Sequence, residues 1–284
     1  MKSLRHSVLS LSILATALSG ALLAQSALAA EQAPAEPAAP AAADPGPLTA
    51  NITLTNDYRY RGISQSNFQP AIQGGFDYAH ESGFYIGNWN SSISWISDTA
   101  SAMGKSSSAP IEMDFYAGYK HDWSKGFIAD VGVLQYYYPT SGSTGFNQNP
   151  NTTELYVAQN FTLDAMTGFL KFSYAVTPIF GTPNSSGSNY TDLTLNYDTG
   201  FWGMSLNAHA GYQYVAGNLM DTGVSNSSVY SYTDWKLGVT KDFGYGLAGA
   251  MAYVGTNAKN YAYSNANTSN LGKGGFLISL TKTF

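Results

Sequence analysis

His209 has the clearest catalytic potential in this chain, because Ser205 lies four positions before it and carboxylates are abundant in the neighbouring segments. A serine, a histidine and an acid that meet in space can form a nucleophilic hydrolase site. The sequence does not bring the three groups together, and a histidine that packs inside the fold is the simpler interpretation. Of the other histidines, His6 lies in the N-terminal apolar segment, and His80 and His121 lie beside predicted turns. We therefore predict no catalytic residues and no enzymatic activity.

Two pairs of acids could also do chemistry: Asp57 with Asp77, and Glu112 with Asp114. Paired carboxylates act as acid and base in several classes of hydrolase. The alternative is that these acids form ion pairs with basic residues on neighbouring strands. The available basic residues are Arg59, Arg61, Lys120 and Lys236. We favour ion pairs, because charges inside a narrow protein interior must be paired or hydrated.

The composition argues against several other kinds of site. The chain has no cysteine, which excludes disulfides, thiol catalysis and thiolate metal ligands. No group of histidines and acids has metal-ligand spacing, and no helix follows the glycine-rich segments, as a phosphate-binding loop requires. A formal net charge of -5 without a basic patch argues against nucleic acid. The sequence therefore predicts no metal, no cofactor and no nucleic-acid partner.

The N-terminal part of the chain divides into two segments that do not belong to the fold. Residues 1–29 have a basic start at Lys2 and Arg5, an apolar run, and small residues at 27–29, which is the pattern of a cleaved signal peptide. Residues 30–49 are rich in alanine and proline and predict a flexible periplasmic linker. The remaining residues, 50–284, form the predicted domain.

The domain divides into twelve stretches in which polar and apolar residues alternate. They are 50–61, 70–79, 84–95, 111–121, 127–138, 152–161, 169–181, 190–197, 201–215, 230–241, 247–256 and 274–284. The connections alternate between long ones of at least eight residues and short ones of at most seven. Long loops at one end, tight turns at the other and an even strand number are typical of a transmembrane β-barrel. With no helical pattern present, we predict an all-β, up-and-down antiparallel barrel of 12 strands.

Charged side chains fall on one face of these strands and apolar side chains on the other. The charges that we place in the barrel interior are Asp57, Arg59, Arg61, Asp77, Glu112, Asp114, Lys120, Asp130, Glu154, Lys171, Asp192, Asp234 and Lys236. Lys241 and Lys282 fall on the apolar face beside short turns, where a long side chain can reach the membrane interface. An arginine or lysine facing lipid at mid-depth costs about 2–4 kcal/mol, so the charged face must be the inner one.

Aromatic residues concentrate near the strand ends, as they do at the two interfaces of a membrane. The predicted interface residues are Tyr58, Tyr60, Trp123, Trp202, Trp235 and Phe284. In the first strand, the alternation in DYRYR places the two tyrosines toward lipid and Asp57, Arg59 and Arg61 in the interior.

Three segments resemble the TorF-type porins, a family otherwise described as conserved hypothetical outer-membrane proteins. They are DYRYRGISQS at 57–66, PAIQGGFDYAHESGFYIG at 70–87 and the terminal SLTKTF. The resemblance is close over residues 54–93 and looser over the rest of the chain. It implies an outer-membrane barrel for passive transport, and it implies no particular substrate and no catalytic residue. Lys282 departs from the usual pattern, since barrel C-termini prefer an aromatic or apolar residue at that position.

We expect a porin-like channel for small polar solutes or ions in the outer membrane of a Gram-negative cell, with both termini periplasmic. The expected partners are outer-membrane lipid, lipopolysaccharide and the barrel-assembly machinery, which would bind the C-terminal strand ending in Phe284. The residues expected to set selectivity near the long-loop end are Arg59, Arg61, Glu112, Asp114, Glu154, Asp192, Asp234 and Lys236.

All the interior charges together number five positive and eight negative, which predicts a weak preference for cations. One alternative is a closed barrel that acts as an enzyme or as a structural or adhesive protein. A second alternative is a secreted soluble β-protein.

Overall fold

The computed structural model describes residues 47–146, 148–219 and 222–284. The predicted signal peptide and most of the predicted linker lie outside the described residues. The first strand of the domain begins at Leu48, close to the predicted start.

Twelve strands form a closed barrel in which chain neighbours pair antiparallel. They are β1 (Leu48–Thr55), β2 (Ala71–Ala79), β3 (Phe84–Ser92), β4 (Ile111–Ser124), β5 (Phe127–Tyr137), β6 (Thr152–Leu163), β7 (Met166–Ala175), β8 (Asn189–Asp198), β9 (Met204–Tyr214), β10 (Tyr232–Gly244), β11 (Leu247–Thr256) and β12 (Gly275–Thr283). The ring closes between β1 and β12, where Asn51 lies opposite Thr283 and Thr55 lies opposite Ser279. The predicted twelve-stranded, up-and-down barrel is confirmed.

The predicted alternation of loop lengths is also present. The long connections are 56–70, 93–110, 138–151, 176–188, 215–231 and 257–274. The short ones are 80–83, 125–126, 164–165, 199–203 and 245–246. The turn between β10 and β11 has positive φ at both central residues, 54° at Tyr245 and 71° at Gly246. This is the type I′ geometry that matches the twist of paired strands.

The long connections contain short elements that the sequence did not predict. They are helices α1 (Trp95–Ala102) and α2 (Asn226–Tyr230), and two-residue strand pairs Arg59–Tyr60 with Ile63–Ser64 and Ser107–Ser108 with Ser141–Gly142. The expectation of no helix was therefore wrong. Trp95, which we predicted at a strand end, begins α1 and packs its ring against Tyr138 and Phe146. Within the described ranges, neither helix has the length and apolar character needed to cross a membrane.

Large apolar side chains cover the outside of the barrel. Val157, Leu170, Leu237 and Ile278 have exposed fractions of 50%, 52%, 60% and 55%. Acidic and basic side chains such as Asp114 and Arg59 are buried inside. A continuous apolar outer surface around a charged interior is the reverse of a soluble fold and suits a lipid environment. The fold is therefore that of a transmembrane β-barrel.

Trp123, Trp202, Trp235 and Phe284 are exposed on the barrel surface, and their place at a membrane interface stays a prediction. The ammonium groups of Lys241 and Lys282 donate to the backbone carbonyls of Trp202 and Tyr245 in the short turns. These contacts direct both charges away from the middle of the lipid-facing wall.

The prediction that Tyr58 and Tyr60 face lipid was wrong. Their exposed fractions are 2% and 8%, and both rings lie in the interior. The physical reason is that β1 ends at Thr55 and the chain then leaves the barrel wall. A period-two assignment of faces holds only while the backbone stays in the sheet.

Val157→Arg tests the assignment of the lipid face, since Val157 lies near the middle of β6. We expect the free energy of unfolding to fall by about 2–4 kcal/mol, because the guanidinium would face hydrocarbon. The measurement is urea unfolding of the barrel inserted in lipid vesicles. Leu163→Arg, at the short-turn end of the same strand, is the matched control and should cost only about 0–1 kcal/mol. Equal costs for both variants would contradict the assignment.

Candidate functional site in the barrel interior

Residues 57–66, which we call the lumen hairpin, fold from the end of β1 into the long-loop end of the barrel. The pairing of Arg59–Tyr60 with Ile63–Ser64 forms its two short strands. Its tip is Arg61 and Gly62, with φ of 46° and 75°, again the type I′ geometry. Gly62 must also be small, because a Cβ there would lie 2.4 Å from the Thr256 Cγ2 atom of the wall.

The base of the lumen hairpin is stabilised by a buried ion pair. Arg59 Nε lies 2.5 Å from Asp57 Oδ2, and the hydroxyl of Ser64 donates to Asp57 Oδ1 at 2.6 Å. Arg59 also donates to the carbonyls of Leu271 and Lys273, at 2.9 and 3.1 Å. The hairpin is therefore connected to the loop between β11 and β12 as well as to itself.

Tyr58 contacts the wall formed by β3 and β4. Its hydroxyl donates to Glu112 Oε1 at 2.9 Å, and its ring packs edge-on against Trp89 with 5.4 Å between centroids. Burial, together with the nearby Glu112 charge, raises the pKa of Tyr58 well above its ordinary value. The phenol therefore stays protonated and remains a donor at physiological pH.

Tyr60 contacts the next part of the wall. Its hydroxyl lies 2.6 Å from the hydroxyl of Tyr136 in β5, and its ring packs edge-on against Phe180 with 5.6 Å between centroids. Burial of this side chain removes aromatic surface from water and contributes apolar contacts to a hairpin otherwise stabilised by charge.

Arg61 reaches the wall formed by β6, β8 and β9. Its guanidinium donates to both carboxylate oxygens of Glu154, at 3.1 and 2.8 Å, and to Gln213 Oε1 at 2.6 Å. It also lies over the ring of Tyr190, 4.2 Å from the centroid. Bidentate carboxylate pairing and stacking on an aromatic ring are the two contacts that a guanidinium makes best.

A second cluster lies around His209 in β9. Its Nδ1 is 2.9 Å from Asp192 Oδ1 and its Nε2 is 2.7 Å from Asp234 Oδ1. The hydroxyl of Tyr190 donates to Asp234 Oδ2 at 2.9 Å. Carboxylates at both ring nitrogens suit an imidazolium that donates twice. Both nitrogens are thus used by acids, and neither is left for Ser205.

A third cluster lies nearer the short-turn end. Lys120 Nζ is 3.7 Å from Asp130 Oδ2, and Tyr85 donates to Asp130 Oδ1 at 2.7 Å. Tyr116 donates to Asp77 Oδ1 at 2.5 Å. The interior is therefore lined by tyrosine hydroxyls and charges along its length.

The structure places the predicted interior charges as follows. Those with buried side chains are Asp57, Arg59, Arg61, Glu112, Asp114, Asp130, Glu154, Lys171, Asp192 and Asp234. Asp77, Lys120 and Lys236 are partly buried. The acid pair Asp57 and Asp77 is not brought together, because Asp57 lies at the long-loop end of the barrel and Asp77 near the short-turn end of β2. Asp57 pairs with Arg59, and Asp77 accepts a hydrogen bond from Tyr116. Glu112 and Asp114 are neighbours, but both are completely enclosed.

Sequence reasoning missed the interior residues that hold Arg61, namely Gln213 and Tyr190. A glutamine and a tyrosine near strand ends carry no distinctive pattern. The available signal was Arg61-Gly62, because glycine after a polar residue favours a hairpin turn over a continuous strand. In the described ranges, no group of three or more histidines and acids is arranged to hold a metal ion.

Comparison with known proteins gives the family. A family profile described as "Bacterial protein of unknown function (Gcw_chp)" matches residues 38–284. The chain belongs to the Gcw_chp family. No curated protein matches the sequence of this Gcw_chp chain.

Solved structures similar to the Gcw_chp barrel include porins. The NanC porin has a TM-score of 0.51 at 9% identity, over 83% of this chain and 98% of that one. The KdgM porin has a TM-score of 0.49 at 8% identity, over 84% of this chain and 98% of that one. OprD of Pseudomonas aeruginosa has a TM-score of 0.39 at 12% identity, over 84% and 66%. At such identity the NanC likeness shows the fold alone, and together with the apolar outer face it indicates an outer-membrane barrel.

Proposed function

We propose that the protein is a porin-like outer-membrane channel for passive diffusion of small polar solutes or ions. The observation that carries this proposal is the closed ring of strands with acidic, basic and hydroxyl side chains inside and an apolar surface outside. Polar solutes that cross a barrel need a polar interior, whereas contact with lipid accounts only for the apolar outer surface. The TorF-type resemblance, which implies passive transport, supports the same function.

The lumen hairpin narrows this channel at its long-loop end. Its side chains contact Trp89 and Glu112 on one side and Glu154 and Gln213 on another, so it crosses the interior. We therefore propose that the resting channel conducts weakly and that larger solutes pass only when the hairpin moves. β1 begins and β12 ends at the short-turn end, which we assign to the periplasm, so we propose that both termini are periplasmic.

A planar-bilayer recording of the purified full chain tests the proposal. We expect discrete openings of small conductance and, from five Lys and Arg against eight Asp and Glu side chains in the interior, a reversal potential that shows weak cation preference under a salt gradient. An anion-selective reversal potential would end the selectivity proposal. Absence of any discrete current from correctly folded protein would end the channel proposal.

A closed barrel with an enzymatic, structural or adhesive role is the second candidate. The buried lumen hairpin favours it, since side chains that fill the interior at that end obstruct the passage of solutes. Hydrolysis of lipid or peptide that is lost in His209→Asn, without channel currents, would select the enzyme. The positions of both His209 nitrogens against carboxylates make this outcome the less expected one.

The expected partners remain proposals of the same kind. Phe284 is exposed at the end of the last strand, where the assembly machinery could bind it, and its amide donates to Ala50 at 2.8 Å. Outer-membrane lipid and lipopolysaccharide would contact the apolar outer face.

A further inference from the structure

The wall groups that hold Arg61 all belong to strands of the barrel and not to the lumen hairpin. We call Glu154, Tyr190 and Gln213 the guanidinium site. All three side chains are buried, with exposed fractions of 1%, 2% and 3%. They belong to β6, β8 and β9, whereas Arg61 enters from the connection between β1 and β2. The ligand now in the site is thus one side chain on a loop.

Each group of the guanidinium site is oriented by contacts with the wall. The Gln213 amide nitrogen donates to the carbonyls of Asn189 and Tyr214, both at 3.1 Å, which leaves its oxygen directed at the guanidinium. The Tyr190 hydroxyl is bonded to Asp234, which fixes the ring plane. Glu154 Oε2 accepts a hydrogen bond from Tyr136 at 3.3 Å. A site whose groups are already oriented loses little entropy when it binds a ligand.

The chemistry of the site selects a guanidinium over other cations. The two oxygens of a carboxylate accept two parallel N–H groups of the planar guanidinium, and an amide oxygen accepts a third N–H. An aromatic ring face stacks on the delocalised positive charge. An alkylammonium has no planar group to stack on the ring and no pair of parallel N–H donors for the carboxylate. Arg61 makes all three contacts at once.

We propose that the guanidinium site is a recognition site for solutes that carry a guanidinium group, and that Arg61 occupies it as a tethered competitor. The proposal rests on the proposed channel function only in that such solutes reach the site through the interior. A solute that displaces Arg61 releases the tip of the lumen hairpin and widens the passage. The hairpin therefore couples binding of this solute class to opening.

Arg61→Gly tests the site directly. The variant removes the competing side chain and leaves a Gly-Gly tip, which suits the type I′ turn. n-Propylguanidinium has the same atoms as the arginine side chain that the variant lacks. n-Propylammonium is the matched probe, with the same charge but without the parallel N–H donors. Calorimetry on the full chain in detergent should show saturable binding of propylguanidinium, at least about tenfold tighter than propylammonium. Wild type should bind at least about tenfold more weakly than the variant, because its own Arg61 is present at high effective concentration.

Two further variants make the result decisive. Arg61→Gly with Glu154→Gln should lose binding by about tenfold or more, because a neutral amide cannot pair with the guanidinium as a carboxylate does. Arg61→Asn, whose Asn-Gly tip is also favourable, should reproduce the binding of Arg61→Gly. No saturable binding in either folded single variant, or equal binding of the two probes, overturns the proposal. Because calorimetry needs no current, a protein that binds propylguanidinium but never conducts would end the channel proposal alone.

Discussion

Replacing residues 56–70 by a four-residue turn should open the long-loop end of the barrel interior, which the lumen hairpin now crosses. Thr55 and Ala71 lie opposite each other in the sheet, so a tight turn can join β1 to β2 without strain. The exchange removes the lumen hairpin and every contact that it makes across the interior. We expect single-channel conductance to rise several-fold, because ion flow is limited by the narrowest part of a pore.

The control for this prediction is a deletion that shortens a loop without entering the interior. Residues 266–268 form an exposed tip between β11 and β12, and their removal should leave conductance unchanged. Swelling of proteoliposomes in sugars of increasing size gives a second measurement, with entry of larger sugars only for the exchanged loop. Equal conductance of wild type and the exchanged variant would mean that the hairpin does not limit flow.

Glu154→Ala should be among the most destabilising single substitutions inside the barrel. It leaves the Arg61 guanidinium buried against Gln213 and Tyr190 without its carboxylate. Removing one partner of a buried ion pair costs about 3–5 kcal/mol, which we expect as the fall in unfolding free energy in urea. Stability is lost because the Arg61 guanidinium stays out of water without the Glu154 carboxylate that neutralised it. The loss should therefore exceed the cost of removing an exposed acid.

A double-mutant cycle separates the ion pair from general damage. Arg61→Gly in the Glu154→Ala background should recover much of the lost stability, since no unpaired charge then remains. Asp122→Ala, an exposed acid at the short-turn end of β4, should change stability by no more than about 0.5 kcal/mol. Additive effects of the two interior substitutions would show that Arg61 and Glu154 are not energetically coupled.

The same coupling is expected to affect function. With Glu154 absent, the Arg61 guanidinium loses its bidentate partner and the hairpin tip is held less tightly, so Glu154→Ala should also conduct more than wild type at equal voltage. A fall in conductance would contradict the proposal that the Arg61–Glu154 pair holds the passage narrow.

The barrel was predictable from the sequence because lipid imposes a strict rule on every strand. Val157, Leu170 and Leu237 are exposed on the outer face, whereas their neighbours Tyr156, Lys171 and Lys236 lie on the opposite face. A charge on the outer face would be too costly at mid-depth. Turn lengths then alternate because the strands run up and down. The face of each residue and the length of each turn depend only on nearby residues, so an alternation of period two in the sequence predicts them directly.

The occupied interior was not predictable in the same way. The pattern of period two continues through DYRYR, although the backbone leaves the sheet at Thr55. Alternation could not show this departure, since a hairpin of two short strands has the same period as the wall. Only the left-handed tip at Arg61 and Gly62 distinguishes the two paths.

The sequence by itself determined the number of strands, the inner and outer faces and the burial of charge, since each follows from residues near one another in the chain. Tertiary structure alone decided that Tyr58, Tyr60 and Arg61 fill the interior. The groups that receive Arg61 are Glu154 and Gln213, 93 and 152 residues further along the chain. Closure of the barrel brings Glu154 and Gln213 close together in the interior. The hairpin folds inward because a guanidinium is stable when buried only if it is paired, and these groups pair with it.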